Sequence, residues 1–461
     1  MDGDRGAGSL VVAAHRLPVN WDDTARRWRT SPGGLVSALS PVLRERGGVW
    51  VGWNGGAGGS SRSFAAEGIR NKPVVLDQEE VENHYDGFCN GTIWPLYHDA
   101  IRPLEFHRHW WRPHVAVNER FAKTAARVSG ADSVIWVHDY QLQLVPEMIR
   151  RRRPGARIGF FLHIPFPPVE IFERLPWRSH VLRGMLGADH LGFQTRRGAL
   201  NFADAAREFT EATGPASSLQ FMGREIRAQT LPISVDVAQI KSAAREPEVL
   251  AGADDLRRDL GHPEKVLLGV DRLDYTKGID LRLRAFEVML ERHPELVGQV
   301  SMVQIAVPSR EDVGEYQTIR RLVEETVGRI NGRFGRAAWT PVHYLYRNVP
   351  TPLLLGAYLA ADVMLVTPLR DGMNLVALEY VAARRDNSGV LILSEFAGAA
   401  ERLADALVVN PYDIDGLARA LHSAVVMSPE TQAAHMSRLR RAVGRWDVHA
   451  WARHCLEALE R

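Results

Sequence analysis

Cysteine is nearly absent from this 461-residue chain. Cys89 and Cys455 stand far apart and in no metal-ligand spacing, which argues against a disulfide framework and against a structural zinc site. That scarcity fits a reducing compartment, and a cytoplasmic protein is the expectation. Net charge is almost absent too: Lys+Arg 57 against Asp+Glu 55 leaves +2, so no broad basic surface is offered to nucleic acid or to an anionic membrane. Any anionic ligand has to be held locally. No apolar run approaches the ~20 residues of a membrane span, and the stretch from Met1 to Gly8 is charged and glycine-rich where a signal peptide would turn apolar. No G-x-x-x-x-G-K-[ST] phosphate loop occurs. Apart from Asp2 and Asp4, the only Asp-x-Asp is Asp413 to Asp415, where a helix cap is the expected use rather than a metal.

What is present is an ordinary globular composition, 45% hydrophobic and 24% charged. At ~150 residues per domain the length suits two large domains or three smaller ones. Short apolar runs end again and again in polar or Gly/Pro loops: Ser9 to Ala14 before HRLPVN, Ser133 to Val137 before HDY, and Ile158 to Leu162 before HIPFPP. The pattern continues with Val266 to Val270 before DRLDYTKG, Met302 to Ala306 before VPSR, Val363 to Val366 before TPLRDG, and Val390 to Leu393 before SEFAG. Helix-length segments such as Tyr140 to Arg153 and Leu281 to Arg292 separate them. This alternation predicts an α/β chain of doubly wound parallel sheets, whose ligands bind outside the carboxyl ends of the strands. The rhythm weakens between Phe202 and Arg245, and LPISVD (Leu231 to Asp236) reads as a passage between units. The expected division is 1–235, 236–440, and a closing segment 441–461 packing back on the first domain. Arg438 to Arg461 reads as one helix that buries Trp446 and Trp451.

Arg272 and Lys277 sit together just past an apolar strand, where two fixed cations can neutralise a diphosphate. In TPLRDGMNLVALEY, Asp371 and Gly372 precede a helix pattern from Asn374 onward. The N–H groups of that helix start suit an anion, and Glu379 within the helix can accept from ribose hydroxyls. Together these residues read as a nucleotide-diphosphate cradle. His138, Asp139 and His163 end two strands of the first half, where an imidazole and a carboxylate can bind sugar hydroxyls. Arg16 and Arg310, each past its own strand, can clamp a phosphate. Tyr85, Trp94, Trp50 and Trp53 lie in loop-like or glycine-rich contexts that permit sugar stacking, with core packing as the alternative for each tryptophan. Gly33 and Gly34 precede a helix-like run, a weak signal alone.

Taken together, HRLPVN, SPGGL, GWNG, WVHDYQL, FFLHIPFPP, LGFQT, DRLDYTKG, INGRFG, LRDGMNLVALEY and SEFAGAA resemble the trehalose-6-phosphate synthase family nearly from end to end. The resemblance implies two Rossmann-like domains facing across a cleft, the GT-B arrangement. It implies transfer of glucose from a nucleotide-glucose to glucose 6-phosphate with retention. Residue by residue, it places the donor on Gly34, His163, Arg272, Lys277, Ile305, Asn348, Val349, Asp371, Gly372, Met373, Asn374, Leu375 and Glu379. It places the acceptor on Arg16, Trp53, Tyr85, Trp94, Asp139 and Arg310, and chemistry on Asp139, His163, Arg272 and Lys277. No cofactor and no metal are implied. The expected partners are the two small substrates, with no nucleic acid and no membrane; a homo-oligomer is compatible with the pattern.

The chain departs from uridine-using relatives at Asn348-Val349, where His-Phe is common. Loss of the ring makes room for a purine, and an Asn amide can both donate and accept, so the sequence leans to GDP-glucose over UDP-glucose. Two other readings compete: a pseudo-glycosyltransferase that couples cyclitol units, and a non-catalytic sugar-phosphate sensor on the same fold. The retained Arg16, Tyr85, Trp94 and Arg310 oppose the first, and intact Arg272, Lys277 and Glu379 oppose the second.

Overall fold

The computed structural model describes residues 10–22, 26–31, 34–100, 104–310 and 314–460. Gly33, Asp2, Asp4 and the stretch Met1 to Gly8 lie outside these residues, and of Gly34 only its place at the start of the helix Gly34–Arg46 is described. Two compact units emerge, one spanning 1–233 and 448–461, the other 234–447.

In the first unit the strands in chain order are β1 (Leu10–Arg16), the small hairpin β2 (Val19–Asp22) and β3 (Arg27–Thr30), β4 (Val49–Trp53), β5 (Phe64–Ala66), β6 (Ile69–Pro73), β7 (Val134–His138), β8 (Arg157–Leu162), β9 (His190–Phe193), β10 (Leu219–Phe221) and β11 (Arg224–Thr230). Nine of them form one sheet in the order β10-β11-β9-β8-β7-β1-β4-β6-β5. The interior ladders are parallel, and only the edge pairs β10/β11 and β5/β6 run antiparallel. Chain order grows outward from β1 to one side through β4 and β6, then reverses to the other side at β7. Leu10, Val11, Val12 and Ala13 on β1 are all buried, as are Ile158, Phe160 and Phe161 on β8, because helices cover both faces.

The second unit has β12 (Lys265–Arg272), β13 (Val300–Val307), β14 (Val342–Tyr346), β15 (Val363–Val366), β16 (Val390–Ser394) and β17 (Leu407–Val409). They are all parallel, in the order β14-β13-β12-β15-β16-β17. This is the doubly wound mononucleotide-binding order, whose reversal lies between β12 and β15. A core of Leu267, Phe286, Met302, Val323, Leu365 and Leu421 packs on one side. Fully buried Arg282 ties the centre together: it donates to Asp271 (2.6 Å), Gln304 (2.9 Å) and Thr367 (2.9 Å), joining the ends of β12, β13 and β15.

Helix ends follow local capping chemistry. Thr195 accepts from Gly198 N–H ahead of Arg196–Phe209, Asp236 from Gln239 ahead of Val237–Ala243, and Asp413 from Gly416 ahead of Ile414–Val425. Two helical expectations need correction. Tyr140 to Arg153 is a 3-10 turn, Tyr140–Leu142, followed by the helix Val145–Arg152, because Asp139 takes a positive φ and Pro146 starts a new helix. Arg438 to Arg461 is not one helix: Pro429–Arg445 ends before Trp446, and Val448–Glu460 follows. The break carries the chain from one unit to the other. Trp451 is buried in the first unit, donating to the Leu231 carbonyl at 3.0 Å, whereas Trp446 in the second is only half-buried. Among the described residues, no helix is long and apolar enough to cross a membrane.

Candidate functional site

Both sheets present chemistry at their points of reversal. In the second unit, Arg272 ends β12 with an exposed side chain. Asp274 then caps the short turn Tyr275–Lys277, accepting from Thr276 N–H at 2.9 Å. Lys277 is buried and donates to Asp371 Oδ2 at 2.6 Å, across the reversal on the loop after β15. Asn374 donates to the same oxygen at 3.1 Å and stands, with φ +75°, just before the helix Leu375–Ala383. Such a backbone is costly for a non-glycine residue and is held where the loop is tied down on several sides.

The ties come from the segment after β16. Asp371 N–H donates to Phe396 (3.1 Å), Gly398 N–H to Asp371 (3.3 Å), and Ala399 N–H to Met373 (2.9 Å). A Cβ on Gly398 would stand 2.0 Å from the Gly372 carbonyl oxygen, so only glycine allows this approach. Met373 is buried, as is Ile305 on β13. Glu379, on the inner side of the helix, accepts from Tyr358 O–H at 2.9 Å, and burial pushes its carboxyl up from the usual range. Asn348 is exposed and Val349 half-buried in the loop after β14.

Arg310, with φ +49°, lies three residues past β13. Its guanidinium donates to Tyr316 O–H, and Tyr316 donates in turn to Asp274 Oδ2 at 2.9 Å. Arg310 also reaches Asp274 directly at 3.4 Å, with only 5% of its side chain exposed. Burial alone would push the Asp274 carboxyl up, but Arg310, Arg272 and Lys277 outweigh it and hold the group well below the carboxylate range. Asp274 and Tyr316 escaped the sequence reading. The signal for Asp274 lay in the DRLDYTKG string, but nothing in the sequence ties Tyr316 to it.

In the first unit, Arg16 ends β1 with its guanidinium 4.5 Å above the Trp53 ring and 5.9 Å from that of Tyr85. Gly55, at φ +98°, makes room, since a Cβ there would meet the Arg16 guanidinium at 1.8 Å. Trp53 is therefore not an open stacking platform: it is 1% exposed, donates to Gly56, and forms the floor under Arg16. Trp50 is wholly core, and Trp94 is buried between His98 and Tyr140 at the start of a short helix. Tyr85 is half-buried on Val81–Ile93, which winds as a π-helix, and stacks on His15. Neither the π-helix nor His15 was legible in the sequence.

Asp139, immediately after β7, takes φ +74°. Its carboxylate accepts from His163 N–H at 3.2 Å, so the ends of β7 and β8 are joined at the residues singled out above. His138 Nδ1 lies 3.1 Å from His163 Nε2. Burial lowers the His163 imidazole to about 3 and holds His138 well below its ordinary value, so both rings are neutral at physiological pH. The structure brings Arg16, Trp53 and Tyr85 together, then Asp139, His138 and His163, and in the second unit Arg272, Lys277, Arg310 and Asp371 to Leu375.

Two doubly wound units with polar and cationic side chains clustered at their reversals fit a sugar-transferring enzyme of the GT-B class. The sequence profile described as Glycosyltransferase family 20 matches residues 8–461. The chain belongs to that family, whose chemistry is glycosyl transfer in trehalose biosynthesis. A trehalose-6-phosphate synthase from Mycolicibacterium smegmatis is 47% identical over 466 residues, covering 98% of this chain and 93% of the relative. The Burkholderia xenovorans alpha,alpha-trehalose-phosphate synthase (UDP-forming), solved in complex with glucose-6-phosphate, superposes with a TM-score of 0.92 at 35% identity, over 98% of this chain and 100% of that one. An E. coli structure described as trehalose-6-phosphate bound with UDP-2-fluoro glucose gives a TM-score of 0.91 at 36% identity, over 98% and 99%.

Proposed function

We propose that this chain makes trehalose 6-phosphate by moving glucose, with retention, from a nucleotide-glucose to glucose 6-phosphate. The observation that carries the reading is the pairing of Lys277 with Asp371 of the Asp371 to Leu375 loop, at the reversal of a mononucleotide-binding sheet where Arg272 ends β12. Arg272 and Lys277 meet the donor diphosphate, Gly372 to Leu375 offer backbone N–H groups, and Glu379 takes the ribose hydroxyls. Gly34, at a helix start, approaches the phosphates, and Ile305 lines the donor site. Arg16, Tyr85 and Arg310 hold the acceptor phosphate, with Trp53 and Trp94 behind them. His163 and Asp139 bind the sugars near the reacting carbon.

Since His163 is neutral, it serves as a hydrogen-bonding group rather than an acid. The glucose C1–O bond to the diphosphate breaks while the acceptor oxygen bonds C1 on the same face, and the acceptor proton passes to the departing phosphate. Charge growing on that phosphate is met by Arg272 and Lys277, the part a divalent ion plays elsewhere, so transfer is proposed to need no metal. The short Val349 and the amide of Asn348 favour guanine as the base. Of the two solved structures above, one is described as UDP-forming and the other as bound with UDP-2-fluoro glucose, which makes UDP-glucose the competing donor. Neither cysteine is in a disulfide, in keeping with a cytoplasmic setting.

The test is turnover of UDP-, GDP- and ADP-glucose with glucose 6-phosphate in EDTA, following nucleoside diphosphate release and identifying the sugar product. Trehalose 6-phosphate from GDP-glucose in preference to UDP-glucose supports the full reading, and preference for UDP-glucose overturns the base assignment alone. Absence of transfer from all three donors overturns the reading and returns the cyclitol and sensor alternatives.

A further inference from the structure

Below the Arg16 and Tyr85 cluster lies a group of side chains that the proposed reaction does not use. His84 and Cys89 stand on the π-helix Val81–Ile93, and His114 on the long helix Arg108–Val128; all three are fully buried. His84 Nδ1 lies 2.9 Å from His114 Nδ1, and Cys89 Sγ lies 3.8 and 3.9 Å from those two nitrogens. A triangle with these sides has its centre about 2.1 Å from every corner, which suits late first-row metal bonds to imidazole nitrogen at ~2.0–2.1 Å and thiolate sulfur at ~2.3 Å.

We propose that His84, Cys89 and His114 form a three-coordinate site for copper(I). Thiolate and imidazole are the donors that a soft copper ion takes. The surroundings choose the charge: Phe88 and Trp111 pack on the His114 ring at 4.2 and 5.6 Å, and no carboxylate belongs to the group. A thiolate with copper(I) is neutral overall, whereas a divalent ion would leave a positive charge in that apolar setting. Binding forms the S–Cu bond and releases the Cys89 thiol proton to water, with no change in oxidation state. The second ring nitrogen of His84 lies 3.1 Å from His15 Nε2, so its N–H has an acceptor while Nδ1 faces the ion. Sequence spacing hides the site because His114 lies on a different helix, 25 residues from Cys89. An ion there would pin the π-helix, and with it Tyr85, to the long helix. The inference does not depend on the proposed function.

The experiment loads the full chain anaerobically with copper(I), made from copper(II) with ascorbate, desalts it, and measures bound metal by elemental analysis, with zinc(II) in parallel. Wild type and Cys455→Ala are expected to retain roughly one copper per chain, and Cys89→Ser and His114→Gln to lose it while keeping their circular dichroism. X-ray absorption on the loaded wild type, which needs no variant to fold, is expected to show one sulfur and two nitrogen neighbours. Copper washing out of the wild type, equal retention by Cys89→Ser, retention of zinc in preference to copper, or a copper shell without sulfur would each overturn the proposal.

Discussion

Lys277 Nζ rests 2.6 Å from Asp371 Oδ2, bridging the loops after β12 and β15 where the strand order of the second unit reverses. The lysine pairs with a carboxylate that also orients Asn374, and the proposed function gives it the donor diphosphate as a second partner. Both groups are mostly buried, at 11% and 14% side-chain exposure, so removing either leaves a charge that water screens poorly.

Lys277→Ala is therefore expected to lower kcat by about 100- to 1,000-fold, the usual cost of losing one donor to developing charge. Steady-state kinetics with saturating glucose 6-phosphate, alongside calorimetric binding of the nucleoside diphosphate, checks this. A variant with full kcat and weakened nucleotide binding would assign Lys277 to ground-state binding only.

Arg310→Ala is expected to raise the KM for glucose 6-phosphate by about tenfold to a hundredfold, the scale of a lost charge-assisted hydrogen bond, with much less effect on the nucleotide-glucose KM. Tyr316→Phe should move the same parameter in the same direction by less. It keeps the ring but removes the hydroxyl that accepts from Arg310 and donates to Asp274. Equal losses for both substrates would reject this division of roles.

The alternation of apolar runs with Gly/Pro loops located the central strands β1, β7, β8, β12, β13, β15 and β16, seven of the fifteen in the two sheets, because strands covered on both faces read as continuous apolar segments. Val363 to Val366 matches its strand residue for residue, and Val390 to Leu393 falls one short. The cation pair and the Asp371 to Leu375 loop were legible as candidates because Arg272 ends β12, with Lys277 shortly after it, and the loop follows β15 within a few residues. What stayed hidden was set by tertiary contact. Trp53 sits in a glycine-rich string that reads as open, yet its ring is roofed by Arg16. Tyr316 lies on a helix 42 residues after Asp274, and only folding puts its hydroxyl on that carboxylate. Arg282 drew no notice in the sequence, and its burial depends on Asp271 of β12, Gln304 of β13 and Thr367 just past β15 arriving together.

Acid should weaken the first unit before carboxylates are titrated. His138 and His163 are neutral by burial in the folded state, His163 down to about 3, whereas the unfolded chain protonates near 6.5. Between those values the unfolded state binds more protons, so stability rises with pH and is lost as pH falls below the unfolded value. Each histidine contributes up to about 1.4 kcal/mol per pH unit there. Urea unfolding followed by tryptophan fluorescence from pH 7.5 to 5.5 is expected to show a falling midpoint, and replacing His138 by Asn should flatten the slope. A midpoint unchanged over that range would contradict the neutral assignment.

Gly398→Ala tests the backing of the donor loop without touching a group proposed to meet substrate. Its new Cβ would meet the Gly372 carbonyl oxygen at 2.0 Å, a backbone atom that cannot rotate aside, so the 371–374 loop has to shift. That shift would disturb the hydrogen bonds from Gly398 to Asp371 and from Ala399 to Met373, and with them the N–H groups proposed to meet the diphosphate. Donor affinity and kcat are expected to fall together by about tenfold or more, the scale on which small misplacements act. Glucose 6-phosphate affinity, measured on the free enzyme by calorimetry, should stay within about twofold, because the proposed phosphate ligands Arg16, Tyr85 and Arg310 keep their supports. If donor affinity held while stability alone dropped, the segment after β16 would be a structural brace with no part in setting the donor loop.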